Sequence, residues 1–310
     1  MHTVAPHLDV QAVTARLSWP GGPVPALLWL PEVDSTNLEL ERRALAGPGA
    51  WPDYSVLGAE YQSAGAGRRG RSFTAPPSAA LMVSVLLRPG RLAAGDRGAV
   101  LGWVPLLAGL ALVRALERAC RVRARLKWPN DVLVTAADGT EGKITGILGR
   151  VAMLGEEPLV IIGAGTNVHQ DRSALPVSHA ASVRTAGGHT DREALLIAYL
   201  EEFAPLYHRL RDGAADAVPG LRAEVEPVVS TLGRRVRAEL PGGAAREGTA
   251  LGLGPGGELL LDAGEPISAA DVHHLRPAGA GGYAGARTRG AAGAGSTAGA
   301  AAAGRDGGAA

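Results

Sequence analysis

Residues 65 to 71 of the segment Gln62-Ser63-Ala64-Gly65-Ala66-Gly67-Arg68-Arg69-Gly70-Arg71 hold three glycines and three arginines. Glycine lets backbone N–H groups approach a ligand closely. Guanidinium forks match phosphate and carboxylate oxygens. Together they describe a loop that closes over an anion. Two more polar segments carry lysines: Lys127-Trp128-Pro129-Asn130-Asp131 and Gly142-Lys143-Ile144-Thr145-Gly146-Ile147-Leu148. Pro129 biases Trp128 to an extended backbone, which would aim Lys127 and Asn130 into a cleft. Lys143 leads an apolar run, where a cation is costly without an anionic partner. Gly163-Ala164-Gly165-Thr166-Asn167 ends another apolar segment, and its glycines admit a ligand or a neighbouring strand. Taken singly, each segment also fits a plain role: a basic surface loop, a polar turn, a lysine snorkelling at a sheet rim, a tight strand end.

Several chemistries are disfavoured. The loop lacks the Gly-Lys-Ser/Thr ending of a Walker A motif, and no βαβ helix follows as a dinucleotide fingerprint needs. The eight histidines show no metal-ligand spacing. No Gly-x-Ser-x-Gly elbow occurs, so covalent catalysis by a protein nucleophile lacks support. An RNA-binding loop would interleave aromatics with the arginines; here Phe73 only follows them.

The elements that must position these segments follow from periodicity. Strands are expected at 27–33, 54–62, 80–87, 122–128, 132–135, 143–154 and 158–168. A short helix is expected near 8–17. Asp34-Ser35-Thr36-Asn37 offers caps to a helix reaching Ala46. An apolar helix is expected over 99–119, with Arg114, Glu117 and Arg118 toward solvent. Asp138-Gly139 reads as a hairpin turn. Thr190 to Glu193 reads as a capping box opening a helix to Leu210. His273 and His274 should face opposite sides of a strand. The fold class is α+β: a mixed sheet with packed helices. Residues 1–26 form an N-terminal extension, 27–226 a main domain, and 227–277 a small β domain. The Gly/Ala-rich tail at 278–310 is expected to be disordered.

Composition narrows the class. The 310 residues carry net charge +1, with 46% hydrophobic and 20% charged residues. That is neither a globally basic nucleic-acid binder nor an evident membrane protein. No apolar run is expected to reach the ~20 residues a spanning helix needs. The start lacks the basic and apolar regions of a secretory signal. Cys120 is the single cysteine, which excludes an intrachain disulfide and points to a reducing cytoplasm.

In order and spacing, Asp34 to Asn37, Gln62 to Arg71, Lys127 to Val132, Lys143 to Leu148 and Gly163 to Asn167 closely resemble the biotin protein ligase (biotin–[acetyl-CoA carboxylase] ligase) family. The resemblance covers most of residues 27–226, and 233–276 is similar to that family's SH3-like C-terminal barrel. It implies a class II synthetase-like catalytic domain and a two-step reaction. Biotin and MgATP give biotinyl-5′-adenylate and pyrophosphate, and a lysine of a biotin carboxyl carrier domain then takes the biotin. By the resemblance, Ser35, Thr36, Asn37 and Gln62 line the biotin pocket. Gly65, Ala66, Gly67, Arg68 and Arg71 fold over biotin and adenylate, with Gly163, Gly165 and Asn167 beside them. Lys143 contacts the biotin carboxylate and the phosphate. Lys127, Trp128 and Asn130 lie near the ATP phosphates, with Asn130 or Asp131 near Mg²⁺. Arg68, Lys143 and Lys127 are the expected catalytic residues. The chain departs from the family pattern at Ala66, Arg150 and Thr166, where an arginine, an acid and an aliphatic residue are usual. The resemblance further implies a cytoplasmic monomer or homodimer. Residues 1–26 are too short for the winged helix of repressor members, so no DNA binding is expected. A lipoate or octanoate ligase of similar fold, and a non-enzymatic anion- or RNA-binding protein using Arg121, Arg123 and Arg125, are the alternatives.

Overall fold

The computed structural model describes residues 5–90, 100–135, 139–268 and 270–274. Seven strands form one mixed sheet: β1 (Leu27–Val33), β2 (Ser55–Gln62), β3 (Ala80–Leu87), β4 (Ala124–Lys127), β5 (Asp131–Thr135), β6 (Glu141–Leu154) and β7 (Glu157–Asn167), in the order β1-β2-β3-β7-β6-β5-β4. Only β1 and β2 run parallel; every other neighbouring pair is antiparallel. All residues of the apolar strand β3 are buried, as a central strand covered on both faces requires.

Three helices cover one face: α1 (Val10–Leu17), α3 (Trp103–Cys120) and α4 (Arg192–Val225). The other face carries α2 (Thr36–Ala46), whose Leu40 and Ala44 pack with Leu57, Leu86 and Ile161. Four strands, β8 (Arg235–Glu239), β9 (Ala245–Leu253), β10 (Leu259–Leu261) and β11 (Asp271–His274), make a second, antiparallel sheet ordered β10-β9-β8-β11. The two sheets share one apolar core. Trp103 and Trp128 stitch them further, their indole N–H groups donating to Pro255 O (2.7 Å) and Gly257 O (2.9 Å). Residues 8–24 also enter this core through Leu8, Val13, Leu17 and Val24.

Several expected elements differ. Helix α1 starts at Val10 because the Asp9 carboxylate accepts from Ala12 N (3.0 Å) and caps it. Tyr54 stands outside β2 with φ 67°. Arg121, φ 59°, closes α3 in the left-handed conformation, so β4 is shorter than its alternating pattern. The cap of α4 is Asp191, not Thr190; its carboxylate accepts from Ala194 N at 2.8 Å. Glu193 accepts instead from Asp9 N (2.8 Å), tying α1 to α4. Helix α4 continues past Leu210 to Val225, with one non-helical residue at Ala214 (φ 48°, ψ −130°). Residues 100–120 do form a helical segment long and apolar enough to cross a membrane, contrary to expectation. It is mostly buried between the sheet and α4 and so acts as a core helix. Ala99, Asp138 and the 278–310 tail lie outside the described residues.

Candidate active site

The sheet's ends, the start of α2 and one edge of the second sheet enclose a cavity of about 730 Å³. Its neutral end begins where β2 stops. Gln62 Oε1 accepts from Thr36 N (2.8 Å) and Thr36 Oγ1 (3.0 Å). Asn37 Nδ2 donates to Leu148 O (3.0 Å), and Asn37 Oδ1 accepts from Ser84 Oγ (2.6 Å). Ser35 occupies the N-cap of α2 without a side-chain cap bond. The expected capping segment therefore spends Thr36 and Asn37 on the sheet, and Asp34 instead pairs with Arg42 (2.8 Å). Arg42, the main cause, holds the Asp34 carboxyl below its ordinary value.

Glycines set the clearance here. A Cβ on Gly163 would lie 2.3 Å from Asn37 Oδ1, and one on Gly165 would lie 2.9 Å from the Phe73 ring. Both distances are below van der Waals contact, so these strand positions admit Asn37 and Phe73 only as glycines.

The opposite end is charged. Lys143 Nζ lies 2.7 Å from Asp131 Oδ1. Its backbone is held on both sides, N donating to His179 O and O accepting from Ala181 N (both 2.8 Å). Asn130 Nδ2 donates to Ile147 O (2.8 Å), leaving Oδ1 to accept from the Arg68 guanidinium at 3.0 Å. Lys127 is buried beside them on the cavity wall. Burial, then the charges of Lys127 and Lys143, push the His179 imidazole below its ordinary value.

The Gly/Arg loop is a small closed hairpin. Gly67 N donates to Arg71 O (2.6 Å) and Phe73 N to Gly65 O (2.8 Å). Arg68 also donates to Ala270 O (3.2 Å), and Arg69 to Glu239 O (2.6 Å), so the loop touches the second sheet.

Ser35, Thr36, Asn37, Gln62, Ala66, Gly67, Arg68, Arg71, Lys127, Trp128, Asn130, Asp131, Lys143, Gly163, Gly165 and Asn167 all line this cavity. Gly65 is off the wall; a Cβ there would strike Phe73 O at 2.4 Å. Trp128 contributes a wall, but its indole is buried and its N–H is committed to Gly257 O. Asn167 Nδ2 donates to Ala181 O (3.0 Å), supporting the loop that bears His179. Of the atypical residues, Arg150 pairs with Glu41 on α2 (2.7 Å), and Thr166 Oγ1 lies 2.8 Å from Thr145 Oγ1. Sequence reasoning missed Ser84, His179, Glu239 and His273. Ser84 is legible only as a polar residue in an otherwise apolar strand. The others arrive from loops and from the second sheet, with no periodic signal.

The cavity holds two carboxylate residues, Asp131 and Glu239, and no cluster of three metal-ligating side chains occurs among the described residues. That donor set suits a Mg²⁺ ion brought by nucleotide phosphates rather than a protein cage.

The biotin/lipoate A/B protein ligase family matches residues 33–167. The biotin–[acetyl-CoA-carboxylase] ligase of Mycobacterium tuberculosis is 34% identical over 87% of this chain and 97% of its own length. The bifunctional ligase/repressor BirA of Escherichia coli is 31% identical over 56% of this chain and 50% of its own length. Among solved structures, the biotin protein ligase from Aquifex aeolicus in complex with biotin and ATP superposes with TM-score 0.64 at 25% identity, covering 81% of this chain and all of that one. On the extent of these matches, the chain belongs to the biotin protein ligase family.

Proposed function

We propose that the chain is an ATP-dependent biotin protein ligase. It joins biotin and ATP into biotinyl-5′-adenylate, releasing pyrophosphate, and then transfers biotin to a lysine of a biotin carboxyl carrier domain of acetyl-CoA carboxylase. The observation that carries this reading is the polarity of one continuous cavity. Its neutral end, at Thr36, Asn37, Gln62 and Gly163, offers hydrogen bonds without charge, as a ureido ring requires. Its charged end gathers Arg68, Lys127 and Lys143 around Asn130 and Asp131. Joining a carboxylate to a triphosphate brings anions together, so positioning and charge neutralisation supply most of the catalysis. Lys143 and Arg68 bind the carboxylate and the α-phosphate, and Lys127 binds the leaving phosphates. Asn130 and Asp131 are the residues that would hold a Mg²⁺ ion brought by ATP, which would supply neutralisation of phosphate charge. The loop at 65–73 then shields the acyl-adenylate from water. Residues 27–226 act as the catalytic domain and 227–277 as an SH3-like barrel against it.

A lipoate or octanoate ligase is the second reading, since the wider family named above includes lipoate ligases. The polar neutral end favours biotin over an aliphatic acyl chain. Biotin-dependent ATP–pyrophosphate exchange, with lipoate, octanoate and no acid as controls, tests both. Exchange with biotin alone supports the proposal, and exchange with lipoate or octanoate instead refutes it.

Gly163→Ala probes the neutral end. The new Cβ displaces Asn37 from Leu148 O and Ser84. Leaving buried polar groups unpaired costs about 1–3 kcal/mol; carried into the pocket, that is roughly 5- to 150-fold weaker biotin binding by calorimetry. Unchanged affinity would show that Asn37 does not shape the pocket.

A further inference from the structure

Arg69 differs from its neighbours in the Gly/Arg loop. It is a non-glycine residue in the left-handed region (φ 54°, ψ 42°), followed by Gly70 at φ 71°. For a residue with a Cβ that conformation is strained and persists when surrounding contacts hold it. One contact that holds it is the 2.6 Å bond from Arg69 to the backbone carbonyl of Glu239, the last residue of β8. Arg68 makes the parallel bond to Ala270 O, just before β11. Strands β8 and β11 are paired, with Asp271 opposite Glu239. The loop is thus fastened at two adjacent points at one end of the second sheet.

The position of that fastening matters. A second cavity of about 560 Å³ flanks the first and is lined by Arg69, Arg237, Glu239 and the turn at 240–243. Arg69 and Glu239 line both cavities. Their bond forms part of the partition between the reaction chamber and this flanking space.

We infer that Arg69 is a positioning residue that latches the Gly/Arg loop to the C-terminal sheet and completes the wall that retains the acyl-adenylate. This rests on the ligase reading for its consequence, but not for the latch itself. Arg69 need not touch biotin, whose proposed site lies at the other end of the cavity. Loss of the latch should therefore open the chamber without weakening biotin binding.

Two measurements separate the latch from its consequence. In the ligand-free protein, amide hydrogen exchange at 65–73 should rise at least about tenfold in Arg69→Ala, the effect of losing one charged hydrogen bond. Arg69→Lys keeps a donor and should recover much of the protection. Arg237→Ala removes a cation from the same flank that pairs with the Glu239 and Glu247 side chains but leaves the Glu239 carbonyl in place, and should exchange like wild type. In a single turnover with biotin and ATP and no acceptor, Arg69→Ala should release adenylate into solution at least about tenfold faster, with biotin affinity within about twofold of wild type. Wild-type exchange at 65–73 in Arg69→Ala would overturn the latch. Faster exchange with unchanged adenylate retention would overturn its role in the wall. If wild type makes no adenylate at all, the ligase reading fails, and the exchange arm still decides whether the latch exists.

Discussion

Replacing Lys143 by alanine lowers biotin-dependent ATP–pyrophosphate exchange by about 10²–10³-fold, the loss expected when one preorganised charge leaves a reacting centre. The geometry supports an effect this large. Both backbone polar groups of Lys143 are held by the 179–181 segment, so the side chain starts from a fixed point. Its ammonium is 2.7 Å from Asp131, and a Cβ at Gly146 would lie 3.2 Å from Nζ, so Gly146 leaves the room that the lysine uses. Asp131 offsets the cost of a cation at this wall until substrate anions arrive. Removing the lysine leaves two anionic reactants facing a carboxylate. Lys143→Arg should not restore the rate, because a planar guanidinium replaces a compact ammonium in a confined place. The Lys143 side chain is 34% exposed, so thermal stability should change little, and this separates a chemical loss from unfolding. Exchange within about twofold of wild type would remove Lys143 from the proposed chemistry.

Arg192→Ala should destabilise the fold by about 3–5 kcal/mol, the usual cost of breaking a buried ion pair from one side. Arg192 and Glu60 side chains are 1% and 6% exposed, with 2.9 Å between them. The guanidinium also donates to Pro6 O (2.6 Å) and Ala80 O (3.3 Å). Glu60 Oε1 accepts from Leu8 N (3.0 Å) and Trp29 Nε1 (2.8 Å). The pair therefore ties the N-terminal segment, β1, β2, β3 and α4 at one point. Burial raises the Glu60 carboxyl, but bonds from Leu8 N, Ser78 and Trp29 and the Arg192 charge outweigh it, leaving the group below its ordinary 4.5. A carboxyl depressed in the folded state contributes stability above the ordinary value and loses it as pH falls through the folded value. The gap between wild type and Arg192→Ala in urea denaturation should therefore be full near neutrality and narrow in acid below the carboxylate range. A gap under about 1 kcal/mol at neutral pH would mean the pair is not holding these elements together.

The contrast between α2 and α4 shows which signals sequence carries. The start of α2 was legible because Asp34-Ser35-Thr36-Asn37 are capping types before an apolar period. Their use was not, since Gln62 and Ser84, distant in sequence, draw Thr36 and Asn37 away from capping. The end of α4 was expected at Leu210, yet the helix runs on to Val225. Packing of Val218, Leu221 and Val225 into the shared core carries the helix through. At residues 100–120 the expected apolar helix forms, but apolar composition does not distinguish a core helix from a spanning one, and burial against the sheet and α4 resolves it.

By itself, the sequence determined the mixed α+β class, the order of the strands along the chain, and the glycine, arginine, lysine and asparagine segments that could meet an anion. These depend on local periodicity and on side-chain chemistry, which are written residue by residue. Tertiary structure alone decided that Lys143 answers to Asp131, that Arg68 meets Asn130, and that Arg69 reaches the second sheet. It also decided that Gly163 exists to admit Asn37. These are contacts between residues far apart in the chain, set by strand register and by the docking of one sheet on another, and no local pattern encodes either.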